Sequence, residues 1–168
     1  MSSRAVYHQI AKHGFVAGLS PAWLWRLAAC GELIERPSGF RLFDDGDPAY
    51  AFWLVRSGVV ALDLPGITYG HVRIDRLGPD SVLGWSWLVP PYRFALGAVV
   101  AEPMRAVEIR ASGARKLLEE DPGVKAEFMT RYVGVLGKRL VAVRRRQALS
   151  SFGGEDLTKV PYATADRQ

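Results

Sequence analysis

Between about residues 32 and 110 the chain is cut into short apolar runs by turn residues at near-regular intervals. This rhythm limits the fold more than any other feature of the sequence. Pro37-Ser38-Gly39, Asp45-Gly46-Asp47-Pro48, Ser57-Gly58, Pro65-Gly66 and Gly78-Pro79-Asp80 punctuate it, with apolar runs at 51–55, 59–62, 72–77 and 95–101 between them. Glycine and proline at such spacing break helices and pre-set turns. The segment therefore predicts an all-β sandwich or barrel built of short strands. The plain alternation from His71 to Leu77 predicts a strand with one face buried.

Both flanks read as helix. Residues 5–13 predict a short helix ending at Gly14. Ser20-Pro21 supplies an N-cap followed by proline at the first helical position. Leu24, Leu27 and Ala28 then recur at helical spacing until Gly31 closes the segment. After the strands, residues 114–120 predict a short helix stopped by Asp121-Pro122. From Gly123 onward Val124, Phe128, Tyr132, Val135, Leu136, Leu140 and Val143 fall three or four apart, one apolar stripe on a long helix. Such a stripe either lies on the barrel or faces the same helix of a second copy. The organisation expected is an N-terminal helical segment (1–30), a β domain with C-terminal helices (31–149) and a polar tail (150–168).

With 168 residues the chain has the length of one domain, and 49% hydrophobic against 23% charged residues excludes a mostly disordered chain. A single cysteine, Cys30, excludes an internal disulfide framework and multi-cysteine metal sites. His8, His13 and His71 lack metal-ligand spacing, so neither a metal nor a cofactor is expected. No stretch has the length of a signal peptide's apolar region or a membrane helix, and a cytoplasmic address is expected. There is no nucleophile elbow, P-loop or HExxH pattern, and no enzymatic activity is expected. The net charge of +5 is mild, but Arg139, Arg144, Arg145 and Arg146 concentrate it near the end of the long helix.

The motifs within this layout resemble the cyclic nucleotide-binding domain family. Gly39 to Ala49 is similar to that family's glycine, strand and "EGDPA" turn, Phe52 to Val60 to its "YLVxSGxV" hairpin, and Leu77 to Gly84 to "LGPGDVLG". Ala101-Glu102-Pro103 and Lys138-Arg139-Leu140 also fit, and Gly84 to Arg93 resembles the "GWSWLxPPYR" cassette of a bacterial subgroup. The resemblance implies a mainly β fold with flanking helices. This is a double-stranded β-helix, or jelly-roll, with N-terminal helices and a long C-terminal helix that closes a ligand pocket.

In the family, a glycine opens a short helix whose N–H groups face the cyclic phosphate, a following glutamate holds the ribose hydroxyl, and an arginine further on completes the anion site. Here the implied ligand-binding residues are Gly84, Trp85, Ser86, Trp87 and Arg93. Trp85 stands at the glutamate's place. Arg93 comes slightly early counted from Gly84, and counted back from Ala101-Glu102-Pro103 the arginine's place falls at Ala95. The purine-gripping Thr-Ser pair of the transcription-activator branch is replaced by Val143 and Arg144.

The resemblance thus implies a stand-alone regulatory or sensor domain with a divergent pocket, one that does not bind cAMP or cGMP in the usual way. The alternative is a ligand-free accessory or docking subunit of a larger assembly. Partners expected are a small anionic or aromatic ligand, and a second copy or another protein along Phe128, Tyr132, Val135, Leu136, Leu140 and Val143. No sequence-specific DNA binding is expected, because only residues 150–168 follow the long helix where the activator branch carries a helix-turn-helix.

Overall fold

A computed structural model of the chain describes residues 3–66 and 70–151. Two N-terminal helices, α1 (Ser3–Ala11) and α2 (Pro21–Ala28), are separated by a 3-10 turn at Gly14–Val16. Six strands follow: β1 (Gly31–Arg36), β2 (Arg41–Phe43), β3 (Ala51–Pro65), β4 (His71–Leu77), β5 (Val82–Leu83) and β6 (Gly97–Arg110). Helices α3 (Ala111–Glu120) and α4 (Pro122–Ser151) close the chain. The chain divides into two compact units with the boundary inside α4, between Tyr132 and Val133.

The strands form one antiparallel sheet in the order β1-β6-β3-β4, with β2 also paired to β6 and β5 to β3. Its frame is the pair β3–β6, two long strands whose register slips between Val55 and Val60. The Ser57-Gly58 turn expected from the sequence is therefore a bulge inside one continuous strand. Gly58 sits there at φ +81°, a region that favours glycine. Smaller differences follow from neighbours that carry no sequence signal. Helix α1 stops at Ala11 and yields to the 3-10 turn. Helix α3 starts at Ala111, where the Ala111 N–H donates to the Tyr50 carbonyl at 2.8 Å. The first two residues of the expected tail, Ser150 and Ser151, end α4, and the rest of that tail lies outside the described residues.

Alternation along β3 sends adjacent side chains to opposite faces. Phe52 and Trp53 are both fully buried, and each anchors its own aromatic cluster. Phe52 meets Trp87 and Phe128, and Phe128 in turn meets Phe15 and Trp23. This cluster joins the sheet to the 3-10 turn, α2 and the first turns of α4. Trp53 stacks with Phe43 of β2, which stacks with Phe94.

The N-terminal segment is held by a polar knot as well as by rings. The Ser20 side chain accepts the Trp23 N–H, the cap that the Ser-Pro pair predicts. The bulge in β3 sits beside Arg56, whose guanidinium donates to Gln9 Oε1 and the Lys12 carbonyl. His13 is 1% exposed; its Nδ1 accepts the Phe15 N–H at 3.2 Å and lies 3.7 Å from Asp80 Oδ1, which itself accepts the Gly14 N–H.

Burial is the largest influence on His13 and pulls its pKa below the ordinary 6.5, outweighing the neighbouring Asp80 carboxylate. The folded chain thus binds this proton more weakly than the unfolded chain. The stability involved is complete above pH 6.5 and is lost as pH falls through the depressed folded-state value. Thermal melts should therefore drop as the pH falls below 6.5, and His13→Gln should flatten that slope. Parallel pH profiles for the two proteins would refute the assignment.

Candidate functional site

The cassette at residues 84–95 begins where β5 ends. Gly84 adopts φ +83°, and a Cβ there would meet the Ala51 carbonyl oxygen and the Phe94 ring at 3.3 Å and the Trp53 ring at 3.4 Å. The glycine lets the cassette backbone close onto β3 and two aromatic rings. A 3-10 turn of three residues, Ser86–Leu88, follows, with Trp85 at its N-cap making no side-chain cap bond. Trp85 is half-buried and Ser86 buried.

Trp87 is fully buried. Its indole stacks on Phe52 with centroids 4.5 Å apart and planes 8° from parallel, and its Nε1–H donates to the Tyr132 hydroxyl at 3.1 Å. Arg115 of α3 locks the same turn. Its guanidinium donates to the Trp87 carbonyl at 3.0 Å and lies over the Tyr92 ring at 4.7 Å. The indole plane and the backbone of Trp87 are thus both engaged by the protein itself.

Arg93 lies elsewhere. It is exposed, forms an isolated bridge with Pro48, and donates from Nη1 to the Gly46 carbonyl at 2.7 Å. The adjacent backbone is stitched to the same turn by Phe94 N–H to Asp47 O and Gly46 N–H to Phe94 O, each at 2.8 Å. Gly84, Trp85, Ser86 and Trp87 form one continuous segment. The Arg93 guanidinium, in contrast, rests on the 44–48 turn, and Ala95, the other position for an arginine, carries no charge.

Three buried rings that the residue-type reading passed over occupy the space between cassette and sheet: Phe43, Trp53 and Phe94. Phe94 and Phe43 stack at 3.7 Å, and Phe43 and Trp53 at 5.2 Å. The Trp53 Nε1–H donates to Glu108 Oε2 at 2.8 Å, so even the polar end of this indole is satisfied across the β3–β6 pair. The available signal was alternation: with Phe52 facing the helices, Trp53 has to face the other way. Tyr50 closes the stack edge-on, and burial pushes its phenol above the ordinary value.

The open groove of about 380 Å³ at Glu35, Arg36, Ser57 and Pro103 to Arg105 is lined by no cassette residue. Neither is the smaller one of about 160 Å³ at Cys30, Gly31, Glu32, Glu108 and Arg110, where burial raises the Cys30 thiol pKa. Among the described residues no group of three or more His, Cys, Asp or Glu could hold a metal ion, and no helix is long and apolar enough to cross a membrane.

The stripe on α4 is divided. Phe128 and Tyr132, expected to face a partner, are buried in the protomer's own core at 0% and 3% exposure, against Phe15, Phe52 and Trp87. They are already committed within the chain. In the second unit Val135, Leu136 and Val143 are half-buried and Leu140 is exposed.

Sheet order and terminal helices together give the fold of cyclic nucleotide-binding domains. This is the mixed β-sandwich of that fold, with N-terminal helices and a long C-terminal helix. The fold is similar to that of Crp/Fnr-family sensor domains. A Geobacter metallireducens GS-15 protein assigned to cyclic nucleotide binding matches at TM-score 0.70 and 22% identity, over 83% of this chain and 98% of that one. The sensor domain of the transcriptional regulator DNR from Pseudomonas aeruginosa matches at TM-score 0.63 and 18% identity, over 95% and 98%. The cAMP-binding acyltransferase of Mycobacterium smegmatis matches at TM-score 0.66 and 23% identity; 83% of this chain covers 42% of that protein. At these identities the likeness is one of fold. No protein-family model and no curated protein matches the chain.

Proposed function

We propose that the protein is a regulatory domain of the cyclic nucleotide-binding type whose nucleotide space is filled by its own side chains. It does not bind cAMP or cGMP in the family's usual way. The observation that carries this reading is the Phe43–Trp53–Phe94 stack beneath Gly84, buried and closed against the cassette.

The polar groups of the cassette support the same reading. Trp85 stands where a carboxylate would accept the ribose hydroxyls, and a buried hydroxyl left unpaired costs about 1–3 kcal/mol. Arg93 is engaged on Gly46, and losing a charge-assisted bond to the phosphate costs roughly 1.5–3 kcal/mol more. Together these correspond to a loss of roughly 60-fold to 20,000-fold in affinity before any steric cost. Isothermal titration with cAMP and with cGMP should show no binding at low-micromolar concentration. A stoichiometric isotherm with micromolar or tighter affinity overturns the proposal.

The same filled space favours a ligand-free docking role over sensing of a different small molecule. A thermal-shift panel of dinucleotides and flavins should leave the melting temperature unchanged, and a large shift with any of them would restore the sensor reading. The fold neighbours described as regulators are consistent with a regulatory role of either kind.

A further inference from the structure

His13 caps the 3-10 turn that lies between α1 and α2 and packs on α4. The residue is 1% exposed, and its Nδ1 accepts the Phe15 N–H at 3.2 Å. An Nδ1 that accepts carries no hydrogen, so the proton of the neutral ring is on Nε2 and an added proton goes to Nδ1. The other side of the turn is held by α4. Arg131 donates to the Phe15 and Ala17 carbonyls at 2.7 and 2.8 Å, and the buried Phe15 ring packs on Phe128 and Tyr132.

A second partner for Nδ1 is already in place. Asp80 Oδ1 lies 3.7 Å from it and accepts the Gly14 N–H at 2.8 Å, and the Asp80 side chain is 58% exposed. The buried Nδ1 is therefore one carboxylate away from water. The Asp80 backbone is fixed on the sheet: its N–H donates to the Val55 carbonyl at 2.9 Å, and its φ of +63° is a left-handed angle that aspartate adopts more readily than most residues. Among the described residues, the charged groups that act on the ring are Asp80, from the β4–β5 turn, and Arg56, from β3. Lys12, on the α1 side, is exposed, and Arg131 is engaged by the turn's carbonyls and Glu127. Burial opposes a charge on the ring most strongly and Arg56 adds to it, whereas Asp80 and the Val55 and Ser81 carbonyls favour it.

We propose that His13 is a proton-operated latch on the 3-10 turn. When a proton from solvent binds Nδ1, the ring stops accepting the Phe15 N–H and donates to Asp80 instead. The Phe15 N–H is then a buried donor without an acceptor, and the turn opens to satisfy it. The start of α4, which rests on Phe15 through Phe128 and Tyr132, loosens with the turn while the β3–β6 frame stays folded. The latch is separate from the cassette and does not rest on the function proposed above.

The test follows the isotope-labelled full chain by NMR, reading the His13 ring titration and amide protection factors, which exclude the intrinsic pH dependence of exchange. As the pH falls below 6.5, protection at Phe15 and at residues 128–132 should drop in step with the ring titration. The drop should be about tenfold, the scale of losing one cap bond. Leu54 and Val107, paired in β3 and β6, should keep their protection. His13→Gln offers an amide oxygen to the Phe15 N–H but does not titrate, so it should abolish the pH dependence at both places. Asp80→Asn keeps an acceptor for the Gly14 N–H and removes the charge. The ring titration and the local loss should then move together to lower pH, by roughly one unit. A ring that served only as packing would give no such shared displacement.

Equal loss of protection at Leu54 and Val107 would mean global unfolding and would overturn the proposal. So would protection at Phe15 that does not follow the His13 titration, a pH profile unchanged in His13→Gln, or an Asp80→Asn midpoint that stays in place or rises.

Discussion

Trp87→Ala is expected to lower the stability of the protein by about 3–5 kcal/mol, the usual penalty for removing a large buried aromatic. The side chain is fully buried, stacks on Phe52, and donates its indole N–H to Tyr132. Truncation removes the stack and the hydrogen bond together and opens a cavity between β3 and α4. For a chain of this length the melting temperature should fall by roughly 10 °C or more. Trp87→Phe should retain most of the stacking. It gives up the hydrogen bond and some volume, and costs about 1–2 kcal/mol. Because Phe128 and Tyr132 share the cluster, amide exchange in the first turns of α4 should accelerate in the alanine variant, while that of β1 should follow global stability alone. Urea denaturation placing Trp87→Ala within about 1 kcal/mol of the unmodified protein would show that this ring does not hold the cassette to the helix.

That junction also shows where the sequence is informative. The turn residues are local signals with local consequences, so the strand region, Ser20-Pro21 and the helical stripe all appear in the structure. The alternation of His71 to Leu77 likewise becomes β4. Gly84, picked out by the resemblance, does have a left-handed backbone angle that favours glycine. The direction of each side chain was not visible, because direction depends on partners distant in sequence. Trp87 turns to Tyr132, 45 residues away, and Trp53 to Glu108, 55 residues away. Arg93 reads as an anion contact by type, yet its backbone pairs with the 44–48 turn and its guanidinium follows. Phe128 and Tyr132 show the same limit on a helix. A 3.6-residue period identifies a buried face but not what buries it, and here the chain's own Phe15, Phe52 and Trp87 do so.

Gly58→Ala should be among the most damaging single-methyl additions in the chain, and a second glycine separates the two reasons. Gly58 has φ +81° within the bulge of β3, and an added Cβ would press on the Pro103 carbonyl and stand 2.8 Å from the Met104 Cα. These are backbone atoms of β6, the strand that frames the sheet, and they cannot rotate away as a side-chain tip could. A left-handed conformation costs a non-glycine residue about 1–2 kcal/mol, and forcing a methyl into packed structure adds about 1–3 kcal/mol. The expected loss is therefore about 2–5 kcal/mol. Gly46 shares the same kind of angle, φ +85°, but has nothing within 4 Å of a Cβ, so Gly46→Ala should cost only the conformational part. The difference between the two variants in urea denaturation measures the close approach of β3 to β6. It also tests whether the bulge, rather than a hairpin, occupies this position, because a glycine at the open tip of a hairpin would tolerate alanine as Gly46 does. Equal losses at the two positions would mean that β3 and β6 do not approach as described. The bulge would then be neither the feature that bends these strands nor the one that places Arg56 within reach of Gln9 and Lys12.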